Sequence, residues 1–148
     1  MMKQHLNSQA MCICPSSYVS HSPVRQVLLN YRLEEAIKKN NREEVLDAIR
    51  EGANVNIRFG QGMTPLHYVV RDGNLDLAQI LIGYGANIDV RNIYDQTPLE
   101  VAEDNEDHKM IRLLSAASTA KENGYRAYNE FKWKLRLIAS FPPPEIIL

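Results

Sequence analysis

Thr64-Pro65-Leu66-His67 and, 33 residues further on, Thr97-Pro98-Leu99-Glu100 decide the fold of this 148-residue chain. A second phrase keeps the same interval, because Gly52-Ala53-Asn54-Val55-Asn56 returns as Gly85-Ala86-Asn87-Ile88-Asp89. Two phrases sharing one period of this length indicate stacked supersecondary units, each too small to bury its apolar face without a neighbour. Thr64 suits an N-cap, since its hydroxyl accepts from a free backbone amide, and Pro65 suits the first helical position, having no amide to satisfy. Leu66, Tyr68, Val69 and Val70 then predict a helix running to Gly73, and Leu75, Leu77, Ala78, Ile80, Leu81 and Ile82 a second running to Gly85. The turn-rich stretch after Gly85 is a connecting finger that delivers the chain to the next Thr-Pro-Leu.

Upstream, Val24, Val27, Leu28, Tyr31, Ala36 and Ile37 open a helical recurrence, and Val45, Leu46, Ala48 and Ile49 continue it in a second helix closed by Gly52. Downstream, His108, Met110 and Ser115 stand where the middle unit has Leu75, Leu77 and Ile82, and Ser118 replaces Gly85. Such a polar outer face is what a terminal unit needs, so the stack is expected to end near Ala120. Residues 1–24, rich in Ser, Gln, His and Pro, are expected to form a flexible leader, and residues 25–120 the stack. Within 121–148, Tyr125, Tyr128, Phe131, Leu135 and Ile138, interleaved with Lys132, Lys134 and Arg136, predict an amphipathic helix lying back on the open end of the stack. Pro142-Pro143-Pro144 ends it and leaves an apolar tail, Glu145-Ile146-Ile147-Leu148.

The pattern resembles the ankyrin repeat, whose 33-residue unit opens its first helix with Thr-Pro-Leu-His. Repeats are expected at about 31–61, 62–94 and 95–120. The first departs from the family pattern with Tyr31-Arg32 in place of Thr-Pro, and the third with Glu100 in place of His and Glu106 in place of Gly. The resemblance implies an all-α solenoid of stacked helix-turn-helix units with short β-turn fingers, plus the C-terminal helix. It also implies that His67 bonds to the backbone of the adjacent finger. For function it implies a non-enzymatic module that captures another protein on its finger edge and concave face. The family's contact positions fall on Arg58, Gln61, Met63, Arg71 and Asp72, and one period later on Arg91, Ile93, Tyr94, Gln96 and Asp104. Phe59, Met63, Ile93 and Tyr94 are large apolar groups expected at loop tips, where exposure calls for a partner. Phe59 and Ile93 have an alternative role, packing against the neighbouring finger.

Composition narrows the classes further. Lys and Arg number 17 against 18 Asp and Glu, so no overall basic field marks a nucleic-acid binder. No run is long and apolar enough for a membrane span, and a cytoplasmic monomer is expected, with the nucleus an alternative location. The charge is uneven: the first 33 residues carry no acid, whereas Asp95–Asp107 carries six acids and no Lys or Arg, so the two ends of the stack should have opposite fields. Glu100, Glu103, Asp104, Glu106 and Asp107 suit a solvated capping face better than a cation site. His5, Cys12, Cys14 and His21 are the one conceivable metal set, but paired zinc cysteines are spaced by two to four residues, not one, so no metal is expected. Nor is a cofactor, since Gly60-Gln61-Gly62 is too short for a phosphate loop and no nucleophile with a base can be assembled. A second reading makes the chain an adaptor: Ile138 to Leu148 is faintly similar to the opening of F-box-like tails, which recruit ubiquitin-ligase subunits.

Overall fold

The computed structural model describes residues 22–140. Among them, three helical hairpins are followed by one further helix. The hairpins are α1 (Pro23–Lys38) with α2 (Arg42–Arg50), α3 (Pro65–Arg71) with α4 (Leu75–Gly83), and α5 (Pro98–Asp104) with α6 (His108–Glu122); α7 is Tyr125–Ser140. The first helices α1, α3 and α5 pack in one row and the second helices α2, α4 and α6 in another. Residues 1–21, which make up most of the expected leader and hold the conceivable metal set His5, Cys12, Cys14 and His21, and residues 141–148 of the tail lie outside the described residues.

The 33-residue period is written into the ends of the helices. Thr64 and Thr97 each close a capping box, with His67 and Glu100 as the reciprocating side chains. The second helices are capped on the same interval: Asn41, Asn74 and Asp107 accept from the amides of Glu44, Leu77 and Met110 at 3.4, 3.2 and 3.2 Å. The residue before each of these caps is left-handed, with φ of 53° at Asn40, 72° at Gly73 and 54° at Glu106. Between the rows, Leu33, Leu66, Val69, Leu77, Leu81, Ile82 and Leu114 are almost wholly enclosed. Each such side chain contributes about 1.5–3 kcal/mol, which holds together units with no sheet between them.

Three expectations are corrected. In α1 the core side is made by Leu29, Leu33, Ala36 and Ile37, while Val24, Val27, Leu28 and Tyr31 face solvent. α1 has apolar residues on both sides, so periodicity alone does not say which side is inward, and it begins at Pro23, inside the segment assigned to the leader. In the third unit Met110 is fully buried, so it fills the place of Leu77 instead of helping to make a polar face. Finally, α7 does not cover the open end of the stack. It packs mainly against α4 and then α6, crossing the row of second helices, and Arg42 of α2 donates to the Ala139 carbonyl at 2.6 Å. The cause is a gap: Gly83 has no side chain to hold α7 away, and Arg136 reaches in to donate to the Gly83 carbonyl at 2.6 Å and stack on Tyr84.

A Cβ on Gly83 would lie 3.1 Å from Leu135 Cβ and 3.2 Å from the Arg136 amide. Gly83→Ala is therefore expected to lower stability by about 1–3 kcal/mol and to open α7 to limited proteolysis before the stack melts. Conversely, Glu106→Gly should raise stability by about 0.5–1 kcal/mol in thermal or urea unfolding, by relieving a left-handed backbone that disfavours a side chain.

Candidate functional site

The two fingers stand side by side and are joined edge to edge. The first closes on itself through the Phe59 amide to the Met63 carbonyl at 2.8 Å, and the second through the Asn92 amide to the Gln96 carbonyl at 3.0 Å. The Ile93 amide donates to the Gln61 carbonyl at 3.1 Å, and Arg58 Nη1 donates to the Arg91 carbonyl at 3.2 Å. Asn92, nearly buried, shapes the second tip by accepting from the amides of Tyr94 and Gln96 at 2.9 and 3.0 Å. The sequence reading did not single out Asn92. The available signal was its position, three residues before Asp95, in a segment too short to form a hairpin of strands.

His67 ties this edge to the helices. Its ring is fully enclosed, with Nε2 3.0 Å from the Gln96 carbonyl and Nδ1 3.2 Å from the Thr64 amide and 2.9 Å from its hydroxyl. A carbonyl only accepts, so Nε2 carries the proton and Nδ1 accepts from Thr64, which makes the imidazole neutral. Burial holds its pKa below the ordinary 6.5, with the bond to Gln96 opposing. Glu100, at the matching position one repeat later, stays local. Its carboxylate accepts from the Thr97 amide at 2.6 Å and from the Thr97 hydroxyl at 3.0 Å, and the amide holds its pKa below the usual carboxylate value.

Between the second finger and the facing ends of α3 and α5 lies a groove of about 210 Å³. Gln61, Met63, Arg71, Tyr94, Gln96 and Asp104 line it, together with Asn92, Val101 and Asn105. Gln96 Nε2 donates to Asp104 at 2.7 Å and Asn105 to the Arg71 carbonyl at 3.3 Å, which fixes two of its walls. Tyr94 stands 61% exposed at the rim.

The remaining expected contact residues are placed differently. Met63 is 5% exposed, so it forms part of the groove floor and is not an exposed tip. Its side chain is drawn inward because the finger closes just before the Thr64 cap. Arg91 folds back on its own finger, donating to the Asp95 carbonyl at 2.6 Å with Glu100 3.9 Å away, so it braces the tip. Arg58 braces the same strand of backbone. Ile93 is 66% exposed beside Gly62, and Asp72 pairs with Arg71 at 3.3 Å. Phe59 packs edge-on to Tyr68 with centroids 5.9 Å apart, and the Arg71 guanidinium lies over the Tyr68 ring, 4.8 Å from its centroid.

The expected opposition of fields is blunted. Lys38 is paired with Glu34 at 2.9 Å and Glu35 at 3.6 Å, so the first unit offers less free positive charge than its composition suggests. The acids of the third unit have separate tasks. Glu100 and Asp107 cap helices and Asp104 holds Gln96, and among the described residues no three His, Cys, Asp or Glu side chains stand together as a metal site. Also among the described residues, no helix is long and apolar enough to cross a membrane.

Stacked helical hairpins with their fingers along one edge define a repeat solenoid that presents side chains from successive units to one surface. A family model described as ankyrin repeats, in three copies, matches residues 33–124, and the chain belongs to the ankyrin-repeat family. It is 32% identical over 80 residues to alpha-latrotoxin-Lg1a of Latrodectus geometricus, covering 54% of this chain and 6% of the toxin. It is 37% identical over 79 residues to potassium channel AKT1 of Oryza sativa subsp. japonica, covering 53% of this chain and 8% of the channel. An ankyrin repeat-containing protein of Schizosaccharomyces pombe is 36% identical over 80 residues, covering 53% of this chain and 39% of that protein. The chain thus spans well under half of each of these relatives. Ankyrin repeats are general protein-interaction modules and are typically non-enzymatic.

The neutral, buried His67 makes stability depend on pH. With its folded pKa below 6.5, protonation favours the unfolded chain, so its contribution is complete above pH 6.5 and is lost as pH falls through the folded value. Urea unfolding of the wild type and His67→Gln between pH 7.5 and 5 should show the variant less stable by about 1–3 kcal/mol at pH 7.5, the difference narrowing as the pH drops.

Proposed function

We propose that this chain is a binding module that holds a partner protein in the groove between its second finger and the ends of α3 and α5. Arg71, Tyr94, Gln96 and Asp104 make the contacts, with Gln61 and Ile93 at the finger edge. The observation that carries this reading is Tyr94, a large aromatic side chain held in solvent at the rim of a groove whose walls are already fixed by hydrogen bonds. Aromatic side chains that pay no ordering cost on binding are the usual anchors of an interface. Gln61, Gln96 and Asn105 supply amide donors and acceptors for an extended backbone, and the groove lining carries both Asp104 and Arg71, so the bound segment is expected to be of mixed polarity. Occupancy, without chemistry on the partner, is then the whole of the action.

The test is affinity capture from extracts of the cells in which the chain is native, with wild type, Tyr94→Ala and Arg71→Ala as baits. Tyr94→Ala is expected to weaken capture of the specific partner at least tenfold while shifting the melting temperature by no more than about 2 °C, the range of a surface substitution. Equal capture by all three baits would overturn the assignment of the groove.

A further inference from the structure

The first helices of the three repeats end on one register: Lys38 closes α1, Arg71 closes α3 and Asp104 closes α5, each 33 residues from the next. A helix C-terminus carries partial negative charge, which favours the two bases and opposes the acid. Lys38 is engaged within its own helix, paired with Glu34 at 2.9 Å and Glu35 at 3.6 Å. Arg71 is held in place with its outer edge free. Its guanidinium lies 4.8 Å from the centroid of Tyr68, a ring that Phe59 packs edge-on, and its Nε donates to Asp72 Oδ1 at 3.3 Å. Neither Nη1 nor Nη2 has a hydrogen-bond partner among the described residues. Asp104 is half engaged in the same way: Oδ2 accepts from Gln96 at 2.7 Å, and Oδ1 has no partner among the described residues. α5 has no base in its last turn to offset this carboxylate, so the acid stands there against the local preference of the helix.

We propose that the groove reads an acidic and a basic side chain three residues apart on one edge of a polyproline-II segment of the partner, the acid on Arg71 and the base on Asp104. The inference rests on the groove beside Tyr94 being the partner site, and both residues line that groove. A planar guanidinium with both terminal nitrogens free takes a carboxylate through two parallel hydrogen bonds. Tyr68 and Asp72 have already fixed its plane, so little ordering remains to be done on binding. The two charges do not neutralise each other, since no ion pair joins Arg71 to Asp104 among the described residues. Spacing sets the rest. The ends of α3 and α5 abut, with Asn105 donating to the Arg71 carbonyl at 3.3 Å, and packed helices lie about 8–10 Å apart. Along a β-strand, successive side chains on one face are only about 6.6–6.8 Å apart. Three residues of polyproline II advance about 9.3 Å and bring the side chain back to the same edge, which matches the separation of the helix ends. Tyr94 at the rim supplies the aromatic face on which such segments dock.

A phage-displayed library of random peptides, selected on the full chain, supplies the probes. Peptides whose binding falls about tenfold or more on the Tyr94→Ala chain report on the groove. These should carry Asp or Glu three residues from Lys or Arg. Synthetic versions with the pair two or four residues apart, or with the acid changed to its amide, should bind about three- to tenfold more weakly. Arg71→Glu should reverse the preference, so that a peptide with Lys in the acidic place binds it better than the original does, a rescue that lost packing on Tyr68 would not give. Asp104→Asn should weaken peptide binding while leaving the melting temperature unchanged or higher, because it removes a charge that the helix end disfavours. The inference is overturned, with the groove left standing, by Tyr94-dependent peptides that lack the pair, by indifference to its separation, or by an Arg71→Glu chain that binds the original peptides undiminished. Peptides that bind the Tyr94→Ala chain as well as the wild type, or no enrichment over an unrelated bait, overturn the groove and this inference together.

Discussion

The hydrogen bond from His67 Nε2 to the Gln96 carbonyl is the contact on which the finger edge depends. A stack of helical hairpins has no sheet ladder to carry its long-range order, so each finger must find partners for its own backbone polar groups. His67 performs two such tasks from one buried position. Its Nδ1 completes the Thr64 cap that starts α3, and its Nε2 pins the end of the next finger. Of the imidazole's protonation states only the neutral one can do both, since it offers one acceptor and one donor on opposite sides of a rigid ring. Other bridges repeat the idea at the surface: Asn56 donates to the Gly85 carbonyl and accepts from the Asn87 amide, and Arg58 donates to the Arg91 carbonyl. All of these span about one period, so the stack is a chain of nearest-neighbour links.

The ends of such a chain must do without one neighbour, and this chain solves the two ends differently. At the third repeat no finger lies beyond to receive a histidine donor, and Glu100 instead closes the capping box within its own helix. α7 then turns back across the second helices, Lys121 pairs with Asp89, and Leu135 and Ala139 close over α4. At the first repeat no finger comes before among the described residues, and there the N-terminal part of α1 braces the Gly52–Asn54 turn with Gln26 and Asn30. A finger has two edges and a helix has a full circumference, so bracing one side of α1 leaves its other side without a contact among the described residues.

Most of the stack was legible in the sequence because repetition converts weak local signals into strong ones. Thr64-Pro65 and Thr97-Pro98 each mark a helix start, and their common interval with the Gly-Ala-Asn phrases fixes the order and number of units. What could not be read was anything set by which neighbour is present. Val24, Val27, Leu28 and Tyr31 have the same period as a core face, and only the packing of Leu29 and Leu33 shows that they are on the other side. Met63 looked like a tip residue by alignment, but it sits one position before a cap, where the chain has already turned inward. Arg91 and Tyr94 were indistinguishable as surface residues, until the closeness of Asp95 and Glu100 to the guanidinium gave Arg91 an intramolecular partner that Tyr94 lacks. The destination of α7 depended on Gly83, whose absent side chain is a statement about a residue more than fifty positions away.

The groove and the stack are not independent, and Gln96 is where they join. Its carbonyl receives the His67 proton and its side-chain amide donates to Asp104, so the residue that anchors the finger also sets one wall of the binding surface. Asn92 closes the same turn from inside, and Asn105 fixes the opposite wall to the end of α3. A partner entering the groove therefore meets backbone already held in place, and the ordering cost of the fingers has been met by folding. This explains how so short an array can offer a defined surface: two fingers suffice when each is pinned on both sides. It also separates the freedoms of the site. Side chains that point away from these pins, such as Tyr94, Ile93 and Arg71, can change with the partner, whereas any change that moves the Gln96 backbone alters the fold and the groove together.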